Sequence, residues 1–229
     1  MTTLVIATRN RHKVGEIASI LGERFRYLDL SGFQEAPPVV EDEPTFAKNA
    51  AKKARELAKW LQILPTFDFR VPGANALVLA DDSGLEVDAL NGAPGVHSAR
   101  FAALDPSAGP SGGAGAKGNS SDADNNAKLL RLLKDVPTEK RGARFRCAVA
   151  AVRLKPRQPS LAGQIFDGVC EGRIQTAPKG QGGFGYDPLF APLGHNQSFA
   201  ELGPQTKNKI SHRAQALQKL RRYLDTLGL

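Results

Sequence analysis

The stretch Ala76-Leu77-Val78-Leu79-Ala80-Asp81-Asp82-Ser83-Gly84 runs five apolar residues straight into two carboxylates. A short unbroken apolar run bounded by polar and turn-forming residues reads as a buried strand, here ending at Ala80. In open α/β sheets the ligand crevice lies beyond the carboxyl ends of the strands, where Asp81 and Asp82 would stand. Side chains alternate across a strand, so the two carboxylates point to opposite faces and one of them enters a site. Mg2+ takes oxygen ligands and keeps several waters, so one carboxylate on the metal beside an activated water is a workable hydrolytic core. Read alone, the same residues also suit an ordinary polar turn capping a strand.

Working outward, Thr3 to Thr8 (TLVIAT) is a second buried strand. Val14, Ile17, Ala18 and Leu21 then make one apolar helical face, with Asn10 as N-cap. Residues 35–43 form an acidic loop around a Pro-Pro break. A helix is expected from about Pro44, near its first position, to Leu61, with the stripe Phe46, Ala50, Lys53/Ala54, Leu57 and Leu61. After the central stretch, Leu85 to Leu90 alternates like a third strand, and Pro94 to Ala102 suits a short helix. Further on come a helix over 122–134, long antiparallel strands over 143–154 and 161–176, a glycine-dense loop over 178–187 and a last helix over 209–226. Residues 62–75 are loop-like. Fourteen of the 18 residues over 104–121 are Gly, Ala, Ser or Pro, which reads as a flexible surface insertion rather than a domain boundary. The expectation is a single mixed α/β domain over residues 1–229.

Composition narrows the function classes. Apolar residues are 41% of 229, enough for a core, so global disorder is excluded. Lys plus Arg is 31 against 23 for Asp plus Glu, a formal +8 that points to a polyanionic partner: a phosphorylated small molecule or nucleic acid. No apolar run approaches the ~20 residues of a membrane helix, and Leu4 to Ala7 is too short for a signal-peptide core. Cys147 and Cys170 form no Cys-x-x-Cys pattern, which argues against a disulfide scaffold or a Cys/His zinc site. A cytoplasmic protein is expected.

Three further motifs could carry chemistry. Thr8-Arg9-Asn10-Arg11-His12-Lys13 joins a strand to a helix, whose N-terminus offers backbone N–H groups and partial positive charge to phosphate. No Gly-Lys-Ser/Thr accompanies it, so it is not a Walker loop. Residues 180–185 contain a formal G-x-G-x-x-G, but Pro188 and Pro192 follow where a dinucleotide fold needs a helix, so that reading fails. Glycines flanking Phe184 and Tyr186 suit backbone brought close to a planar ligand with an aromatic to stack on it. Lys207 to Arg213 opens the last helix, and residues 205–222 hold six Lys/Arg and no acid. Their donors suit phosphates or a carbonyl oxygen. Each motif alone also has a plain structural explanation: a capped helix, a glycine turn, a solvated basic face.

Taken in order, TxNxxK at 8–13, ADDSGLEVDALNGAPGVHSARFA at 80–102, GGFGYDPLF at 182–190 and FAEL…K…SHR at 199–213 resemble the Ham1/RdgB/ITPase family, over nearly the whole chain from Leu4 to Arg222. The resemblance implies an elongated mixed sheet flanked by helices, two lobes with a nucleotide cleft between them, a homodimer, and Mg2+. It implies hydrolysis of ITP, dITP or XTP between the α- and β-phosphates. Carried onto this chain, Thr8, Asn10 and Lys13, with Arg9, Arg11 and His12 beside them, would hold the triphosphate. Asp82 would be the metal-linked general base with Ser83 next to it, and Glu41 the second metal ligand. Phe184 would stack on the base, within a contact set that includes Gly185 and Tyr186, and Asp187 would lie at the base's polar edge. Lys207, His212 and Arg213 would meet its hydrogen-bonding edge. Arg9 stands where the family commonly has Gly, and His97 where it has Tyr. The rival readings are a Maf-like pyrophosphatase for other modified nucleotides and a basic nucleic-acid-binding module. The main reading expects no stable nucleic-acid complex and no membrane association.

Overall fold

The structure is a computed structural model that describes residues 1–64, 76–104, 119–154 and 163–229. Most of the loops expected over 62–75 and 104–121 lie outside the described residues. Among the described residues six strands form one sheet in the order β2-β1-β3-β4-β5-β6. They are β1 (Thr2–Ile6), β2 (Phe25–Asp29), β3 (Ala76–Val87), β4 (Gly142–Leu154), β5 (Gln164–Ile174) and β6 (Phe190–Pro192). β1 runs parallel to both β2 and β3, whereas β5 and β6 are antiparallel, so the sheet is mixed as expected. Among the described residues five α-helices accompany it: α1 (Arg11–Leu21), α2 (Phe46–Ile63), α3 (Asp122–Leu132), α4 (Phe199–Ile210) and α5 (His212–Thr226).

The chain divides into two compact units. Unit 1 comprises Met1–Asp82, Cys147–Gly168 and His212–Leu229, and unit 2 comprises Ser83–Arg146 and Val169–Ser211. Because β3, β4 and β5 each contribute residues to both, neither unit is a continuous segment. In unit 1, Leu4 and Ile6 of β1 and Leu77 and Leu79 of β3 pack with Ile17 and Leu21 of α1 and Leu217, Leu220 and Leu224 of α5. In unit 2, Leu85 and Val87 of β3 pack with Leu129 and Leu133, Phe145, Tyr186, Phe190 and Phe199. Phe145, Phe190 and Phe199 form an aromatic cluster, with centroids 4.7 to 6.2 Å apart.

Several elements differ from the sequence reading. The expected strands at 76–80 and 85–90 merge into one strand, β3, which runs through Asp81-Asp82-Ser83-Gly84 without a turn and ends at Val87, the last three expected residues, Asp88–Leu90, forming a 3-10 helix. Buried carboxylates are tolerated inside a strand when cations meet them, and both are met here. α2 is capped by Thr45, whose side chain accepts from the Lys48 N–H, so Pro44 precedes the cap instead of occupying the first turn. Residues 95–100 form a 3-10 helix. Lys207 to Ile210 close α4, which the sequence reading lacked, and α5 starts at His212 after the Ser211 break. β2 and β6 were likewise not anticipated.

Candidate active site

Alternation along β3 sorts the two aspartates. Asp81 shares the face of Leu77 and Leu79, toward α1 and α5, and Asp82 faces the other way. In unit 1, Asp81 is fully buried in a cluster of charges. Arg213 grips it with Nε to Oδ2 at 3.0 Å and Nη2 to Oδ1 at 3.2 Å, and Lys13 Nζ lies 2.5 Å from Oδ1. The Cys147 thiol donates to Oδ2 at 2.9 Å, and Arg213 also pairs with Glu16. Burial alone would raise the Asp81 carboxyl, but Arg213 and Lys13 hold it well below the usual range. The same burial, with Asp81 adjacent, pushes the Cys147 thiol well up, so it stays protonated.

Asp82 belongs to a second cluster. Lys53 of α2, 8% exposed, donates to Asp82 Oδ1 at 3.1 Å, Glu41 Oε1 at 3.1 Å and the Asp81 carbonyl at 2.9 Å. Burial pushes the Asp82 carboxyl up to about 6; Lys53 opposes that shift and Glu41 adds to it. Glu41 moves down despite burial, because Lys53 outweighs it. Burial works against the Lys53 charge too, yet Asp82, Glu41 and Asp81 keep it an ammonium with a raised pKa. Asp82 Oδ2 is buried and has no hydrogen-bond partner among the described residues. No group of three or more metal-ligating side chains occurs among them either. Glu41 and Asp82 are the pair of carboxylates that could share a cation, since Mg2+ is commonly held by one or two carboxylates with water and phosphate.

The helix-entry motif keeps its expected form. Asn10 Oδ1 accepts from the N–H groups of His12 at 2.9 Å and Lys13 at 3.2 Å, and Thr8 Oγ accepts from Asn10 N at 3.1 Å. Arg9, Arg11 and His12 are exposed. Arg9 donates to the Ala36 carbonyl at 3.4 Å, which turns its side chain toward the acidic loop that carries Glu41. His212 opens α5 and is buried. Its carbonyl packs against Gly168 of β5, where an added Cβ would stand 2.0 Å from that oxygen.

Unit 2 holds the remaining expected residues. Asp187 Oδ2 accepts from the Phe184 N–H at 2.9 Å and from Lys207 Nζ at 2.5 Å, while the same ammonium lies 4.3 Å from the Phe184 ring centroid. Gly183 has φ +76°, and an added Cβ would lie 2.2 Å from Asp187 Oδ2, so only glycine fits there. Ser83 is half-buried.

Three of the expected residues have structural partners of their own in this geometry. Tyr186 is a core residue, 4% exposed, whose hydroxyl donates to the Ser98 carbonyl at 2.9 Å. Asp187 braces the glycine loop from inside. Arg213, 1% exposed, serves Asp81 and Glu16 as a buried counter-ion. The sequence reading gives no role to Lys53 or Glu16, and it treats Asp81 only as one of two carboxylates at a strand end. The signal for Lys53 was present, since it is a lysine on the apolar stripe of α2, where a charge persists only with buried partners.

The Ham1 family profile matches residues 4–223. A dITP/XTP pyrophosphatase of Geobacter sulfurreducens is 43% identical over 230 residues, covering 100% of each chain. One from Shouchella clausii is 40% identical over 225 residues, covering 98% of each. A HAM1 protein from Coxiella burnetii superposes with a TM-score of 0.73 at 36% identity, covering 99% of this chain and 100% of that one. The chain is a member of the Ham1 family.

Proposed function

We propose that the chain is a Mg2+-dependent pyrophosphohydrolase that cleaves ITP, dITP and XTP between the α- and β-phosphates. The observation that carries this reading is the buried Lys53 ammonium shared by Glu41 and Asp82, while Asp82 Oδ2 has no partner among the described residues. A buried carboxylate oxygen in that state is costly until a cation or donor meets it. Glu41 and Asp82 would hold Mg2+, which when bound would offset phosphate charge and lower the pKa of a coordinated water. Asp82, with a carboxyl raised to about 6, suits acceptance of a proton from the attacking water. Lys53 keeps the two carboxylates together against their repulsion.

Lys13, the Thr8 hydroxyl and the Asn10 amide bind phosphate oxygens at the start of α1, and Arg9, Arg11 and His12 add donors on the same turn. Phe184 stacks on the base. Lys207 can only donate, which suits the 6-oxygen of hypoxanthine or xanthine and mismatches the 6-amino group of adenine. His212 and Ser83 complete the nucleotide contacts. A mismatch that leaves buried polar groups unpaired can reject the wrong substrate strongly. The relatives that bear the name dITP/XTP pyrophosphatase over their full length support the same substrates. A cytoplasmic location fits substrates drawn from the free nucleotide pool. The family resemblance adds a homodimer, which sedimentation at micromolar concentration would test.

The deciding experiment mixes the protein with Mg2+ and single nucleoside triphosphates and follows pyrophosphate. Release from ITP, dITP and XTP, with ATP and GTP much poorer, is expected. Cleavage of other triphosphates alone would indicate the Maf-like activity, and no release from any would remove the enzymatic reading.

A further inference from the structure

Both peptide bonds that flank Phe184 are held by carboxylates. The Phe184 N–H donates to Asp187 Oδ2 at 2.9 Å, and the Gly185 N–H donates to Asp122 Oδ2 at 2.6 Å. Asp187 belongs to the glycine loop itself, but Asp122 is the first residue of α3, far away in sequence. One turn further along the same face of α3, Asn126 Nδ2 donates to the Gly185 carbonyl at 2.9 Å. Gly185 thus has its N–H and its C=O fixed by a single helix. It adopts φ +62°, in the left-handed region that favours glycine.

The latch has a cost that argues for a purpose. Asn126 Oδ1 is buried with no partner among the described residues, so the amide is retained for its donor. α3 is itself anchored. Ser121 caps it, Asn125 accepts from the Ala102 N–H at 2.8 Å, and Lys128 donates to the Phe101 carbonyl at 2.7 Å. Tyr186, directly after Gly185, donates to the Ser98 carbonyl. The loop is therefore braced on a rigid helix on one side and on the 95–104 segment on the other.

We infer that Asp122 and Asn126 are positioning residues for the base, setting the angle of the Phe184 ring by clamping the Gly185 peptides. This rests on the reading that Phe184 stacks on the purine. The clamp works before substrate arrives, so it lowers the ordering cost of binding and leaves the bond-breaking step alone.

The test is steady-state kinetics of the full chain with ITP and Mg2+, joined to hydrogen exchange at the Gly185 amide. Asp122→Ala should raise KM roughly tenfold, with kcat within about twofold. Asp122→Asn keeps an acceptor and should restore most of the loss. Asn126→Asp keeps the shape but removes the donor, and should follow Asp122→Ala. The Gly185 amide should exchange faster in Asp122→Ala. In a Phe184→Ala background, Asp122→Ala should add less than about twofold, because the ring it positions is gone. A parental KM in Asp122→Ala, or an undiminished effect in the Phe184→Ala background, overturns the inference even if the amide exchanges faster. Phe184→Ala with a parental KM would sink the stacking reading itself, visibly and without any α3 variant, and the inference would fall with it.

Discussion

At the scale of single residues, Asp82 and Lys53 do different work with one hydrogen bond between them. Asp82 has one oxygen on Lys53 and one with no partner among the described residues, so the amide of Asp82→Asn would keep the shape and lose the proton-accepting charge. We expect pyrophosphate release from ITP to fall by on the order of 10³-fold or more, while calorimetry gives an ITP affinity within about tenfold of the parent. A fully active Asp82→Asn protein would take this residue out of the chemistry. Lys53→Met removes the charge that holds Glu41 and Asp82 together. The two carboxylates then repel, and turnover should drop by on the order of 10²-fold. Urea unfolding should also show a lower midpoint, because a charge pair loses its buried partner.

At the scale of elements, β3 and α5 are tied together by the Asp81–Arg213 pair, and Gly168 lets α5 sit where that pair can form. An alanine there would drive its Cβ to 2.0 Å from the His212 carbonyl and 2.7 Å from Ala216 N, both backbone atoms of α5's first turn. Gly168→Ala should therefore cost about 2 kcal/mol or more in denaturant unfolding, at the upper end of overpacking effects. It should also lower turnover, because Lys13 leans on the same Asp81 carboxylate. An unchanged unfolding midpoint would show that α5 can move without penalty. This tie also explains what is legible in the sequence. The apolar run 76–80 is plain as a strand because its burial is written locally. Its continuation through Asp81 and Asp82 is not, because the partner that makes Asp81 tolerable inside the strand lies 132 residues away. α4 is masked by Gly203, which leaves helical geometry at φ 75°, and by Pro204. β2 has a single fully buried residue, Phe25, and no strong alternation to mark it. The site residues stand out as motifs, whereas their roles do not. The partners of Tyr186 and Arg213, Ser98 and Asp81, lie far off in sequence and cannot be read from the motifs.

At the scale of the whole molecule, the net charge of +8 and the proposed chemistry have to be reconciled. Asp81 and Asp82 are spent internally on Lys13, Lys53 and Arg213. Much of the positive surplus is on exposed positions of other elements, such as Arg221 and Arg222 of α5. Such a surface attracts any polyanion at low ionic strength through counter-ion release, and this attraction collapses as salt rises. We therefore expect duplex DNA to retain the protein weakly at about 20 mM salt and not at about 150 mM. Pyrophosphate release from ITP at the higher salt should be unaffected by added DNA, because on the proposed reading the triphosphate is held at the start of α1 by Lys13, Thr8 and Asn10 rather than by a broad basic face. Chelation should separate the two behaviours further. EDTA should abolish release and Mg2+ restore it, while low-salt DNA retention stays the same, since that retention comes from exposed Lys and Arg side chains and needs no metal. DNA binding that survives about 150 mM salt and competes with ITP would instead show that the basic surface and the carboxylate cluster serve one polyanionic ligand, and that the chain is built to hold nucleic acid.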